Sequence, residues 1–286
     1  MGYFERALLI AIVIGVLCGL VGAVVVLRRR AFFTQALTHA TFPGAVLAAA
    51  LGVNIMIGAV ASSVVLIVAM TLIGRVGRQG SQVASGVVLT AGFALGVWLQ
   101  AFFPDLPIHV DSYLIGSILT TTDADLVAAV VVLLVAVVTL LLTGKEILFS
   151  TLDPLGFRVA GYREWVIEVV TLGLIVITVV TTMPAIGAIL ALALVAAPAA
   201  AARLVARTTT QIFVIAPVIG ALSGVIGVLA SRSLGVAAGA AVSLTAAVFF
   251  VLALGISKLR QLRLSRSAGE GASPAGMPVV SEVVRP

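Results

Sequence analysis

The sequence predicts an all-α polytopic membrane protein with eight or nine transmembrane helices. Three observations carry that prediction. Of 286 residues, 62% are hydrophobic and only 10% charged, whereas a soluble domain carries about 25% charged residues to cover its surface. The apolar residues fall into long continuous runs, and about 20 in a row cross the hydrocarbon core as a helix. The runs also lack the short apolar/polar alternation of outer-membrane strands.

Nine hydrophobic runs lie at 7–27, 35–53, 55–73, 83–103, 126–143, 165–183, 185–197, 211–230 and 236–256. The first is longer than the ~7–15-residue core of a secretory signal. Its amino-terminal flank has only Arg6, offset by Glu5, so it reads as a retained span. The seventh is short for a full crossing, which leaves the count at eight or nine.

Lysine and arginine fall unevenly on alternate connections. One set holds Arg28, Arg29 and Arg30; Arg75 and Arg78; Lys145, Arg158 and Arg163; Arg203 and Arg207; and Lys258, Arg260, Arg263 and Arg266. The other holds Arg6 and Arg232. Positive residues mark the cytoplasmic side, so nine spans put the amino terminus outside and the carboxyl terminus inside. The same asymmetry accounts for the net charge of +6 without nucleic acid as a partner. The lone cysteine, Cys18, sits in the first run and reads as a small core hydrophobe.

The junction of the first two runs concentrates polar groups. Gln35 and His39 lie four apart, which places them on one helix face. Ionisable groups at membrane depth are costly and are by default functional. His39 is either functional or a neutral imidazole bonded to Thr38 or Thr41, and Gln35 alone favours an interhelical hydrogen bond. Pro43-Gly44 reads as a helix interruption that frees carbonyls toward a cavity.

The connection 103–125 holds Asp105, His109, Asp111, Asp123 and Asp125 and no lysine or arginine. Such an acidic mouth would gather cations; the alternative is a solvated loop whose aspartates cap helices. His109 by itself is more simply a loop residue than a ligand. Residues 112–117 read as a re-entrant or membrane-surface segment.

On the basic side, Asp153 before Pro154 fits an N-cap followed by proline at the first helical position, with Gly161 ending the helix. The resulting short helix, about 150–162, offers Leu155, Phe157 and Val159 to a docking partner. Small residues at 186–193, Gly220, Gly224, Gly227 and 237–241 read as tight helix packing. Residues 1–256 form the membrane domain; 257–286 read as a basic, then disordered cytoplasmic tail whose start can touch anionic lipid. Lys145 and Lys258 lack a phosphate-loop context, and no hydrolase or His-Glu-x-x-His set lies in the spans, so the chain is not itself an enzyme.

Five stretches together resemble the permease subunits of ABC importers for divalent metals, the zinc/manganese/iron family. They are the span ending in arginine with Gln35-Ala36-Leu37-Thr38-His39-Ala40 and Phe42-Pro43-Gly44; Asp111-Ser112-Tyr113-Leu114-Ile115-Gly116; Asp153-Pro154 with Ala160-Gly161; Ile186-Gly187-Ala188-Ile189-Leu190 leading to Ala197-Pro198 and Arg203; and the last span after Gly239. The resemblance implies a cobalamin- and siderophore-importer-like fold shortened at the amino terminus, in the bacterial plasma membrane. It implies a second permease copy, a pair of ATPase subunits that bind the ATP, and an extracytoplasmic metal-binding protein. It makes Asp153, Pro154, Leu155, Phe157, Ala160 and Gly161 the helix that couples to the ATPase, and His39 a ligand of the transported manganese, zinc or iron. The family's aspartate is Gln35 here, which removes a negative charge but leaves a carbonyl oxygen that, with His39 on the same face, is the implied second ligand. A metal chelate or cobalamin-like cargo, and an autonomous secondary metal transporter, are the competing readings.

Overall fold

A computed structural model describes residues 3–75, 81–103, 116–118 and 121–271. Among the described residues the chain is all-helical, with no strands. The helices are α1 (Tyr3–Leu27), α2 (Ala31–Ala40), α3 (Phe42–Ala50), α4 (Ile55–Arg75), α5 (Ser81–Phe102), α6 (Asp123–Leu152), α7 (Pro154–Val159), α8 (Glu164–Ile186), α9 (Ala188–Val205), α10 (Thr209–Leu234) and α11 (Ala238–Gly271). Six of them are long and apolar enough to cross a membrane: α1, α5, α6, α8, α10 and α11. The predicted run 35–53 is broken into α2 and α3, and the apolar part of α9 is a shorter helix, Leu190–Val205.

α1 is the hub. It is apolar on every side, as a helix enclosed by others must be, and it packs against α10, α9, α6 and α8. Ile10, Ile14, Leu17, Cys18 and Val21 are all buried. In lipid the close fit of backbones, rather than water exclusion, drives such packing. Gly15 meets the Gly220 backbone, Gly19 meets Ala216, Gly22 meets Val195 and Gly224 meets Ala11, each with no room for a Cβ. By contrast α6 buries only Ala129, Ala136, Ile147 and Ser150 and leaves Leu134, Leu141 and Leu142 exposed.

The two ends of the bundle differ. At one, Arg6 pairs with Asp123 at 2.8 Å, and the Arg232 guanidinium lies 4.6 Å from the centre of the Phe4 ring. The opposite end holds Arg28, Arg30 and α7. Arg6 and Arg232, the two residues of the sparse set, are therefore together and away from those arginines. α11 runs on to Gly271, past the expected domain end at 256, because Lys258, Leu259, Arg260, Gln261 and Leu262 all favour helix. Residues 272–286 lie outside the described residues.

A side chain at the α1–α10 crossing should be far costlier than one on the lipid face. Gly15→Leu is expected to destabilise by roughly 1–3 kcal/mol or more through overpacking. Gly144→Ala, at a helical site with nothing within 4 Å, should stabilise by about 0.5–1 kcal/mol. Thermal unfolding of the detergent-solubilised protein checks both signs.

Candidate functional site

The polar site begins where one helix stops. Pro43 at the start of α3 has no N–H to give to the His39 carbonyl, so the run cannot continue as one helix. Hydroxyl groups gather around the break, on carbonyls other than the one Pro43 frees; the Thr41 carbonyl also takes the Ala45 N–H at 3.1 Å. Thr41 Oγ1 donates to the Thr38 carbonyl at 2.9 Å and lies 3.3 Å from the Met183 sulfur on α8. Ser62 on α4 donates to the Thr41 carbonyl at 3.3 Å. Thr38 donates to the Gln35 carbonyl at 2.7 Å.

His39 and Gln35 sit on the last two turns of α2, both half-buried. The His39 ring stands edge-on to Phe93 of α5, with centroids 5.6 Å apart. Phe93 also stacks with Phe42 at 6.0 Å, a fit that Gly96 permits because a Cβ there would enter the Phe42 ring. His39 Nδ1 is buried and has no hydrogen-bond partner. The expected alternative, a histidine bonded to Thr38 or Thr41, is therefore not what the fold adopts: both hydroxyls turn to backbone carbonyls instead. An unsatisfied buried nitrogen costs about 1–3 kcal/mol. A neutral imidazole with a free nitrogen is also the commonest metal ligand. Among the described residues no group of three or more His, Cys, Asp or Glu converges.

A second break faces the first. Pro184 lies in the last turn of α8, and Gly187, at φ 89°, turns the chain into α9. Gly116, at φ 65°, is seated directly on Ile186 and Gly187, where a Cβ would collide with backbone. The Ser117 N–H donates to the Pro184 carbonyl at 3.2 Å, and Ile118 is buried. Of the segment expected to be re-entrant, Gly116 and Ser117 are described; 112–115 are not.

The acidic connection divides. Asp105, His109 and Asp111 lie outside the described residues. Asp125 forms a capping box with Thr122 at the start of α6, its carboxylate 2.8 Å from the Thr122 N–H. Asp123 is the partner of Arg6. For these two, capping and pairing are what the geometry gives.

At the other end α7 is a short capped helix. The Gly156 N–H donates to Asp153 Oδ1 at 2.9 Å, Pro154 takes the first position, and Gly161 follows at positive φ. Leu155 and Val159 are 74% and 89% exposed, four apart on one face. Phe157, expected on that face, is corrected: it is 1% exposed and packs among Val24, Ile147 and Ile167. Two positions from each exposed leucine and valine, it points the opposite way. Tyr162 stacks on it at 4.9 Å.

One cluster escaped the sequence reading. Glu168 on α8 takes Arg30 at 2.6 Å and Arg28 at 3.3 Å. Arg28 also donates to Thr171 at 2.8 Å and Ser150 at 3.2 Å. Burial pulls the Arg28 guanidinium below its ordinary pKa and Glu168 opposes the shift; an arginine remains charged throughout. The available signal was Glu168 itself, the sole charge between Trp165 and Met183.

Residues 1–257 match the model of the ABC 3 transport family. The chain is 31% identical to the manganese import system permease protein ScaB of Streptococcus gordonii, over 91% of this chain and 94% of that protein. It is 28% identical to the chelated iron transport system membrane protein YfeD of Yersinia pestis, over 96% and 95%. The structure of PsaBC from Streptococcus pneumoniae in complex with Fab superposes with a TM-score of 0.84 at 29% identity, covering 93% of this chain and 96% of that one.

The cap at α7 gives a local prediction. Asp153→Ala should cost about 1 kcal/mol and Asp153→Asn much less, because asparagine caps nearly as well. Faster amide exchange at Gly156 in the alanine variant, and near-parental exchange in the asparagine variant, is the expected outcome.

Proposed function

The chain belongs to the ABC 3 transport family, and on that premise we propose that it is the transmembrane permease subunit of an ATP-driven importer carrying a divalent transition-metal ion, manganese, zinc or iron, into the cytoplasm. It is a multi-pass membrane protein. The α2–α3 pair, α4 and α9 add to the six long helices to give eight or nine crossings, in a cobalamin-importer-like arrangement. The membrane is the bacterial plasma membrane, with the carboxyl terminus inside. Two copies form the pathway, an ATPase pair hydrolyses ATP, and an extracytoplasmic protein delivers the ion.

The observation that carries this reading is the unpartnered Nδ1 of His39 beside a helix break. An entering cation takes that nitrogen as a ligand, and the Gln35 side-chain carbonyl, on the same face, adds a neutral oxygen. A site of two neutral donors lacks the carboxylate that would hold a divalent ion tightly in low dielectric. Weak holding suits passage, since the ion has to leave inward. Asp105 and Asp111 gather cations at the outer mouth. Inside, the Leu155 and Val159 face of α7 docks on the ATPase and Phe157 anchors the helix to the bundle. Cargo delivered as a chelate is the second reading, favoured by the chelated iron named for the Yersinia relative.

The assembled transporter in proteoliposomes decides among these. Free manganese, zinc and ferrous ions competing for uptake support the ion reading, and competition only by a chelate supports the second. His39→Ala should leave assembly intact and lower uptake by about 10–100-fold or more; uptake at the parental rate would remove His39 from the path. Gln35→Asp, restoring the charge, should tighten metal binding by about tenfold, ~1.4 kcal/mol, and slow inward release.

A further inference from the structure

Glu168 is placed where the two halves of the mechanism meet. It follows Ile167, which packs on Phe157 of α7 together with Val24 and Ile147. Its carboxylate is held by Arg30 at 2.6 Å and Arg28 at 3.3 Å, the residues on either side of the α1–α2 corner. Arg30 is the residue before α2, the helix that carries Gln35 and His39.

The corner is a tight helix stop. Arg29 has φ 55°, a left-handed conformation, and the Arg29 and Arg30 N–H groups turn back to the Val26 and Val25 carbonyls as in a Schellman helix end. Arg28 and Arg30 leave that stop toward one carboxylate. Ser150 on α6 and Thr171 on α8 complete the hold on Arg28.

The geometry points to Glu168 as a positioning residue for transport: through Arg30 it ties the His39 helix to the docking helix α7, so that movement of α7 against the ATPase reaches the ion site. This rests on the permease reading and adds a residue to it. Pushing α7 moves Phe157, hence Ile167 and Glu168, and the charge pair carries α2 with them. A carboxylate shared by two guanidinium groups is a directional link, because losing it leaves Arg30 without its ion-pair partner and Arg28 with only the Thr171 and Ser150 hydroxyls. A topology anchor, by contrast, would need only the positive charge and no partner on α8.

The test uses the full transporter with its ATPase and binding protein, and reads manganese uptake and ATP hydrolysis in the same vesicles. Glu168→Gln should keep hydrolysis within about twofold of the parent and lower uptake about tenfold or more, so that ions moved per ATP collapse. Arg30→Ala, which breaks the same link from the α2 side and leaves Glu168 its Arg28 partner, should lower the ratio likewise. A parental ratio in Glu168→Gln overturns the inference, as does a parallel loss of both activities in both variants. If Glu168→Gln does not assemble, Arg30→Ala decides alone: a lowered ratio supports the link and a parental one overturns it. Failure of both to assemble makes the cluster purely structural and also overturns it. Absence of uptake by the unaltered transporter is a different result, which sinks the permease reading itself.

Discussion

Lipid offers no hydrogen-bond partner to a peptide group, so a helix can break at membrane depth only where protein meets the freed groups. Two such breaks lie at the candidate site. Beside Pro43, Ser62 joins the Ala45 N–H on the Thr41 carbonyl, and the Thr41 hydroxyl reaches Met183. The break at Pro184 and Gly187 is met by Ser117 and by the seat of Gly116. Met183 lies one residue before Pro184, which brings the two together. His39 stands two residues before Thr41, with its Nδ1 left over.

The bundle around these breaks is built to different tolerances. α1 meets α10 backbone to backbone through paired glycines, which leaves little freedom to shear. α2 is held by close packing on α5, where Gly92 seats against Ala40, by the edge contact of His39 with Phe93 and by the charges at its start. The ion pairs among the described residues collect at the two ends of the bundle.

How much of this was legible in the sequence depended on sequence distance. The helical class, the hydrophobic runs and the burial of Cys18 follow from composition and run length. The Asp153 cap and the interruption at Pro43 were legible because both are set within four residues. Phe157 was misjudged because only the tertiary partners Val24, Ile147 and Ile167 decide which side of so short a helix is covered. The Arg30–Glu168 pair spans 138 residues, beyond what local pattern can reach, and the arginines read as a topology signal alone. Asp123 was read as a possible cation attractor for the same reason, its partner Arg6 being on another helix. The orphaned His39 nitrogen is also a tertiary fact, since Thr38 and Thr41 were within reach and turned elsewhere.

The central claim is that the transported ion is held by the His39 imidazole. X-ray absorption at the metal edge tests it most directly, on manganese- or zinc-loaded transporter free of its binding protein, in the parental form and as His39→Gln. The account predicts imidazole scattering in the parental spectrum, at about 2.0–2.1 Å for zinc, and its loss in the variant. Imidazole scattering that survives the substitution, or a parental shell of oxygen alone, would contradict it.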